Sequence, residues 1–344
     1  MRIALIGTGR IGQLHARVLA DHPMVDELVV ADLDRASAER TAQALGARVA
    51  DVDEAIEGAD GLAIAASSSS HPELIRAGLR RRIPIFCEKP VALDVAETAE
   101  LVEQIEASGS PFQLGFQRRF DPAYREARRR VEDGSIGRLY QVRMTAMDHT
   151  PPPESYVPTS GGFFRDAAIH DFDAIRFVTG DEVESVFADG GALGFDYFAQ
   201  NGDIDTAVAT LRMRSGVLGV LAGGRHNPPG YDIRMELVGS ADAVAIGLGV
   251  RTPIHPLDHD APILERGWVS FLDRFSDAYR AELNAFVEVA AGRAEIACTA
   301  RDGLEAMRIA EAASRSLAER RPVALGEIAP KREEKEVRPE ANVR

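Results

Sequence analysis

The sequence predicts an α/β protein: an N-terminal Rossmann dinucleotide-binding domain over residues 1–120, a C-terminal α+β domain with an open, largely antiparallel sheet over 121–330, and a charged tail over 331–344. Three observations carry this. A glycine pattern at residues 7–12 lies between an apolar run and a helix-spaced stretch; short buried-strand and helix patterns alternate up to residue 120; and beyond it several segments alternate with period two, as strands with one covered face do.

Bulk composition narrows the function classes. With 344 residues, 45% hydrophobic and 27% charged, the chain can build two substantial cores. A net charge of -14 argues against sequence-independent binding to nucleic acid or to an anionic membrane face. The two cysteines, Cys87 and Cys298, are too few for a thiolate zinc site or a disulfide framework, so no metal is expected and a reducing cytoplasm fits best. The apolar run Ile3 to Ile6 is too short for a signal h-region or a membrane span, so the protein is expected to be neither exported nor anchored.

Arg2 to Ile6 reads as a strand buried on both faces, and Gly7-Thr8-Gly9-Arg10-Ile11-Gly12 follows at once. The helical spacing of Gln13 to Ala20 puts that pattern where a dinucleotide fingerprint works. Gly7 permits the tight turn, Gly9 lets backbone approach a pyrophosphate, Gly12 lets helix and strand pack closely, and the helix start, with Arg10 and Ile11, offers amides to the anion. The second strand, Leu28 to Ala31, ends in Asp32. A carboxylate there accepts ribose hydroxyls and repels a 2′-phosphate, so NAD is expected over NADP. Arg10 and Arg35 are read as exposed charges rather than phosphate ligands.

The alternation continues with a helix at Ser37 to Leu45, a strand at Arg48 to Ala50, a helical turn at Val52 to Ile56 and a strand at Gly61 to Ala66. Ser67-Ser68-Ser69-Ser70-His71-Pro72 begins at the sheet edge where ligands of open α/β folds collect, so Ser67 and His71 are expected to line the cofactor cleft. Ser68 to Ser70 are read as making the turn and capping the helix Glu73 to Arg80. The strand Pro84 to Cys87 runs into Glu88-Lys89-Pro90, with Glu88 assigned to the cofactor and Lys89 placed to reach a substrate; the proline bond is cis or trans. A helix at Val95 to Ala107 and a strand at Phe112 to Phe116 close the first domain. Arg118 and Arg119, just beyond, are substrate ligands or surface charge.

The second domain opens with a helix at Ala123 to Glu132 and a strand at Leu139 to Met147, before Asp148-His149-Thr150 and a stiff proline loop. In Gly161 to Asp173, helical geometry would put Asp166 and His170 one turn apart, so that a carboxylate orients an imidazole suited to proton transfer. Ser185 to Gly191, Thr206 to Met213, Val217 to Gly223, Asp232 to Val238 and Ala243 to Ile246 read as strands. Trp268 and Phe271 read as packing residues before a helix at Arg274 to Ala290. Thr299 to Asp302 reads as a capping box for a helix at Gly303 to Glu319, which makes Asp302 structural, and Arg321 to Leu325 as a closing strand.

Gly7-x-Gly9-x-x-Gly12, Glu88-Lys89-Pro90 and Gly162 to Asp173, in that order, resemble the Gfo/Idh/MocA oxidoreductases over nearly the whole chain up to Leu325. Gly115 to Asp121, Ser160 to Asp166 and Asp277 to Leu283 are similar to that family's inositol 2-dehydrogenases. The resemblance implies that Lys89, Asp166 and His170 are catalytic: His170 takes the hydroxyl proton, Asp166 orients it, and Lys89 stabilises the alkoxide. It also implies that Arg118, Asp148, Thr150, Tyr231 and Tyr279 are substrate candidates, and that a homodimer or homotetramer forms through the C-terminal sheet. His226 stands where such dehydrogenases tend to carry an aromatic residue. The reaction implied is NAD-dependent oxidation of a cyclic polyol, with myo-inositol first and another inositol isomer or a pyranose second. An NAD-assisted glycosidase would release no net NADH, and a non-catalytic NAD sensor has no need of Lys89, Asp166 and His170 together. Asp171 and Asp173 are read as orienting neighbours or facing solvent.

Overall fold

A computed structural model of the chain describes residues 1–258 and 265–328, so the charged tail expected over 331–344 lies outside the described residues. The first half is built from β1 (Arg2–Ile6), α1 (Arg10–Ala20), β2 (Glu27–Ala31), α2 (Arg35–Leu45), β3 (Arg48–Val49), α3 (Val52–Ile56), β4 (Gly61–Ile64), α4 (His71–Arg81), β5 (Ile85–Glu88), α5 (Val95–Ser108) and β6 (Phe112–Gly115). The strands pair in the order β3-β2-β1-β4-β5-β6, all parallel. Residues 3–6 of β1 are fully or almost fully buried, as a strand covered on both faces requires.

Register is what positions the site. Ile6 lies opposite Ala31 on one side and Ile64 on the other, so Gly7, Asp32 and the serine run leave the sheet at one edge. Helix ends are set by local chemistry: Asp34 and Asp94 accept amides at the starts of α2 and α5, and Gly46 and Gly109 end them in the left-handed region. The serines differ from expectation. Ser68–Ser70 form a single 3-10 turn, and no serine side chain caps α4, whose first turn instead carries Pro72.

The second half comprises α6 (Pro122–Glu132), β7 (Leu139–Met147), α7 (Val157–Ser160), α8 (Phe163–Asp166), α9 (Ile169–Thr179), β8 (Val183–Gly191), α10 (Asp196–Gln200), β9 (Thr206–Met213), β10 (Leu218–Gly224), β11 (Asp232–Gly239), β12 (Ala243–Ile246), α11 (Phe271–Arg274), α12 (Ser276–Ala290), α13 (Ala300–Glu319) and β13 (Val323–Ala324). Their strand order is β12-β11-β7-β10-β9-β8-β13, antiparallel throughout except for the parallel pair β7–β10. The helix expected from Arg274 is interrupted at Phe275, and the closing strand shrinks to Val323–Ala324. Thr299 and Asp302 form the expected capping box.

One face of this sheet buries Val142, Met144, Val186, Ala209, Leu211 and Leu221 in a core shared with α9 and α13. The chain then returns to the first sheet. Leu283, Phe286 and Val287 of α12 are buried with Ile3 and Leu5 of β1, and Leu304 and Met307 of α13 join the core around Leu114.

Candidate active site

At the cofactor edge, Gly7 adopts φ 99°, and a Cβ on Gly12 would come within 2.1 Å of the Gly7 carbonyl oxygen. Both positions therefore need glycine. α1 starts at Arg10 with no side-chain cap and no acid in its first turn, so its leading amides are left for an anion. One oxygen of Asp32 accepts the Thr8 amide (2.6 Å) and hydroxyl (2.9 Å), and the other accepts the Asp34 amide (2.9 Å). The carboxylate thus braces the glycine turn, and the lone pair left on Oδ1 suits a ribose hydroxyl. Arg35 is engaged by Glu39 and Asp51, and the Arg10 guanidinium sits 4.7 Å from the Phe271 ring centre. Ile11 is half-buried against the cores of both halves. These residues fit a dinucleotide without a 2′-phosphate.

The remaining cofactor candidates separate. Ser67 is exposed at the end of β4, with its hydroxyl near those of Ser69 and Ser70. His71 does not line the cleft: it is buried, with Nδ1 2.7 Å from the Pro90 carbonyl and Nε2 3.2 Å from that of Ala66. Burial holds it below the ordinary histidine value, and a neutral ring has one N–H to donate; the shorter contact is to Pro90, in the Lys89–Pro90 turn, whose bond is cis. Glu88 is also turned inward, 2.7 Å from Nε2 of the buried His15 on α1.

Lys89 leaves the end of β5 and its ammonium donates to the Asp166 carbonyl at 2.9 Å and to Asp166 Oδ1 at 3.4 Å. Oδ1 also accepts the Tyr156 hydroxyl at 3.0 Å, while Oδ2 accepts Nη2 of Arg225 at 2.8 Å. Burial pushes the Asp166 carboxyl up, but Lys89 and Arg225 outweigh it and hold the group below the usual carboxylate value. Asp166 does not orient His170, because no hydrogen bond joins them among the described residues. The Phe163 carbonyl accepts both the Ala167 and Ala168 amides, so the helical register slips between α8 and α9 and the expected one-turn alignment is lost. His170 instead packs edge-on to Phe116, 5.7 Å between ring centres, with Nδ1 buried and unpartnered. Burial, then the charges of Lys89 and Arg118, push its pKa well below the ordinary histidine value, so the imidazole is neutral.

The substrate candidates also divide. Asp148, at the end of β7, reaches Nη1 of Arg225 at 3.4 Å and so joins the Asp166 cluster. Thr150 is exposed and forms no hydrogen bond to that cluster. Arg118 is neither surface charge nor a free ligand: it is buried, and Nη1 meets Asp171 at 2.5 Å. Arg119 likewise chelates Asp173, so neither acid faces solvent and both orient neighbouring arginines. Tyr231 and Tyr279 are buried, and burial holds both phenols above their usual value. The Tyr279 ring lies 5.9 Å from that of His15, toward Glu88.

A family model described as "Oxidoreductase family, NAD-binding Rossmann fold" matches residues 1–116, and one described as "GFO/IDH/MocA C-terminal domain" matches residues 124–245. The myo-inositol 2-dehydrogenase of Thermotoga maritima is 36% identical over 335 residues, which span 95% of this chain and 99% of that one. The chain belongs to the Gfo/Idh/MocA oxidoreductases. A myo-inositol dehydrogenase of Streptomyces leeuwenhoekii is 39% identical over 322 residues, 92% of this chain and 97% of its own. Among solved structures, a myo-inositol dehydrogenase of Corynebacterium glutamicum superposes with a TM-score of 0.87 at 35% identity, covering 94% of this chain and 98% of that one. A scyllo-inositol dehydrogenase of Lactobacillus casei with bound NAD(H) and scyllo-inositol gives 0.86 at 27% identity, covering 95% and 99%.

As a Gfo/Idh/MocA oxidoreductase the chain uses NAD, and its site includes groups the sequence reading passed over. Tyr156, Arg225 and His15 are each bonded to an acid in or beside the Glu88-Lys89-Pro90 turn or at Asp166. A usable signal existed for Arg225, which directly follows a glycine-ended strand, but its meaning depends on β10 lying parallel to β7. His15 sits one turn into α1 and gave no signal apart from the fold.

Proposed function

We propose that this oxidoreductase oxidises one secondary hydroxyl of a cyclic polyol, with myo-inositol and its 2-keto product, scyllo-inosose, as the best-supported pair. The observation that carries the reading is the Lys89–Asp166 pair at the end of β5, near enough to His170 for the Lys89 charge to help keep the imidazole neutral, on the edge of the sheet that holds the dinucleotide turn. NAD, held by the α1 amides, Asp32 and the glycine turn, supplies the hydride acceptor. With Nδ1 of His170 buried, Nε2 is the nitrogen left to take the hydroxyl proton. Lys89 is anchored through the Asp166 carbonyl and keeps a further N–H for the developing alkoxide. Asp166 fixes Lys89 rather than the imidazole. Asp148, Tyr231 and Tyr279 are the polyol contacts this reading favours, with Thr150 and Arg118 set back.

The reading extends to assembly and place. Phe187, Val208 and Leu218 lie on the outer face of the second sheet and are 40%, 54% and 45% exposed, which supports a homodimer or homotetramer through that face. Cys87 and Cys298 are both free and buried, in keeping with a cytoplasmic location. No helix among the described residues is long and apolar enough to cross a membrane.

The direct test is NADH formation from myo-, scyllo- and D-chiro-inositol and from glucose at matched concentrations. The expected order puts myo-inositol first; robust glucose oxidation with no signal from any inositol overturns the substrate.

A further inference from the structure

We propose that Arg225 is a positioning residue of the polyol site: its guanidinium bridges Asp148 and Asp166 and holds the two carboxylates as a paired acceptor for two hydroxyls of one ring. The proposal rests on the polyol reading above. β10 runs parallel to β7 with Gly224 opposite Met147, so the next residues, Arg225 and Asp148, leave the sheet side by side. Both backbones are pinned: the Arg225 amide donates to the Asp205 carbonyl at 2.8 Å, and the Asp148 amide donates to the Gly224 carbonyl at 2.9 Å. The arginine is only 4% exposed, and its guanidinium lies 5.4 Å from the Phe163 ring centre. Nη2 reaches Asp166 at 2.8 Å and Nη1 reaches Asp148 at 3.4 Å, while Nε is buried with no protein partner.

The chemistry follows from the side chain. A guanidinium is always charged and presents donors in a planar fork, so it can engage two carboxylates in fixed directions where a lysine ammonium acts as a single point. Asp166, with Lys89 and Tyr156 on Oδ1 and Arg225 on Oδ2, keeps one lone pair on Oδ2, Asp148 keeps those that Arg225 leaves, and a hydroxyl pair on one ring has a donor for each acid. The groups facing this cluster include Lys89 after β5, Tyr156 ahead of α7, His170 from α9, Tyr197 from α10, Asp203 ahead of β9 and Tyr231 ahead of β11. Burial pushes the Asp148 carboxyl up and the Asp166 charge adds to this, with Arg225 as the largest opposing influence. Without the guanidinium two acids share one lysine, and the largest influence opposing the burial of Asp148 is gone, so one of the pair holds its proton to higher pH than in the wild type.

The test compares wild type with Arg225→Met, Arg225→Lys, Asp148→Asn and the double Arg225→Met/Asp148→Asn. Steady-state kinetics with myo-inositol across pH are paired with infrared titration of the carboxyl stretch in the NADH-bound enzyme without polyol. Arg225→Met is expected to raise KM by about tenfold or more, to leave NADH affinity intact, and to add an ionisation to both the kcat/KM profile and the infrared titration. Arg225→Lys should recover part of the KM, and the added ionisation should vanish in the double variant because a lone acid has no neighbour to repel it. A wild-type KM and pH profile in Arg225→Met overturns the proposal, as does an effect that is uniform across pH and additive with Asp148→Asn. If Arg225→Met does not fold, a wild-type KM in Arg225→Lys overturns it equally. A wild type that binds NADH but turns over no polyol overturns the functional reading instead, and the infrared arm then decides whether Arg225 keeps both acids charged.

Discussion

At the scale of single residues, His170 decides the pH behaviour. Its folded pKa is depressed, chiefly by burial and then by Lys89 and Arg118, while the unfolded chain titrates at about 6.5. The base form therefore persists well below that value, and kcat/KM should stay flat on the acid side through about pH 6.5. Stability has the same sign: the contribution is fully present above the unfolded value and is lost as pH falls toward the folded one, because the unfolded chain then binds the extra proton. His170→Ala should lower kcat by about 10²–10⁴-fold with NADH binding retained by fluorescence titration; near wild-type turnover at neutral pH would remove His170 from the mechanism. The sequence pointed to Lys89, Asp166 and His170 together, and mistook how the carboxylate is wired. Spacing alone paired Asp166 with His170, whereas two cations and a phenol, arriving from positions 89, 225 and 156, hold the carboxylate. Contacts over such separations leave no local pattern to read.

At the scale of elements, the glycine turn was legible because each glycine answers a steric demand that recurs wherever a strand feeds a phosphate-binding helix. Gly12→Ala tests it. The added methyl would lie 2.1 Å from the Gly7 carbonyl oxygen and 2.8 Å from its carbon, both backbone, so α1 must shift from β1. We expect NADH affinity to fall at least tenfold and stability to drop by about 1–3 kcal/mol, measured by fluorescence titration and thermal melting; unchanged affinity would show that α1 does not seat the pyrophosphate. Strand positions in both sheets were legible to within a few residues. Less legible were the register slip at Ala167–Ala168 and the short helices α7 and α10, where tertiary contacts rather than periodicity set the backbone. The parallel pairing of β7 with β10 was also hidden, since strand patterns carry no direction, and it is this pairing that delivers Arg225 to Asp148.

At the scale of the whole molecule, the outer face of the second sheet presents Phe187, Val208 and Leu218 beside the Arg143–Glu236 ion pair. Placing a charge there by Val208→Glu with Leu218→Glu should shift the light-scattering mass toward the monomer without altering the far-ultraviolet spectrum. A wild type that is already monomeric at assay concentration would remove the sheet from the assembly. The return of α12 to β1 has a different consequence, one that concerns synthesis. The first sheet is complete by Gly115, yet Leu283, Phe286 and Val287 must arrive before the cover of Ile3 and Leu5, begun by Ala16 and Leu19 of α1, is complete. At translation rates of about 5–20 residues per second, that surface stays open on the ribosome for roughly ten seconds or more. The core of the nascent cofactor-binding half is therefore completed only once α12 has been made.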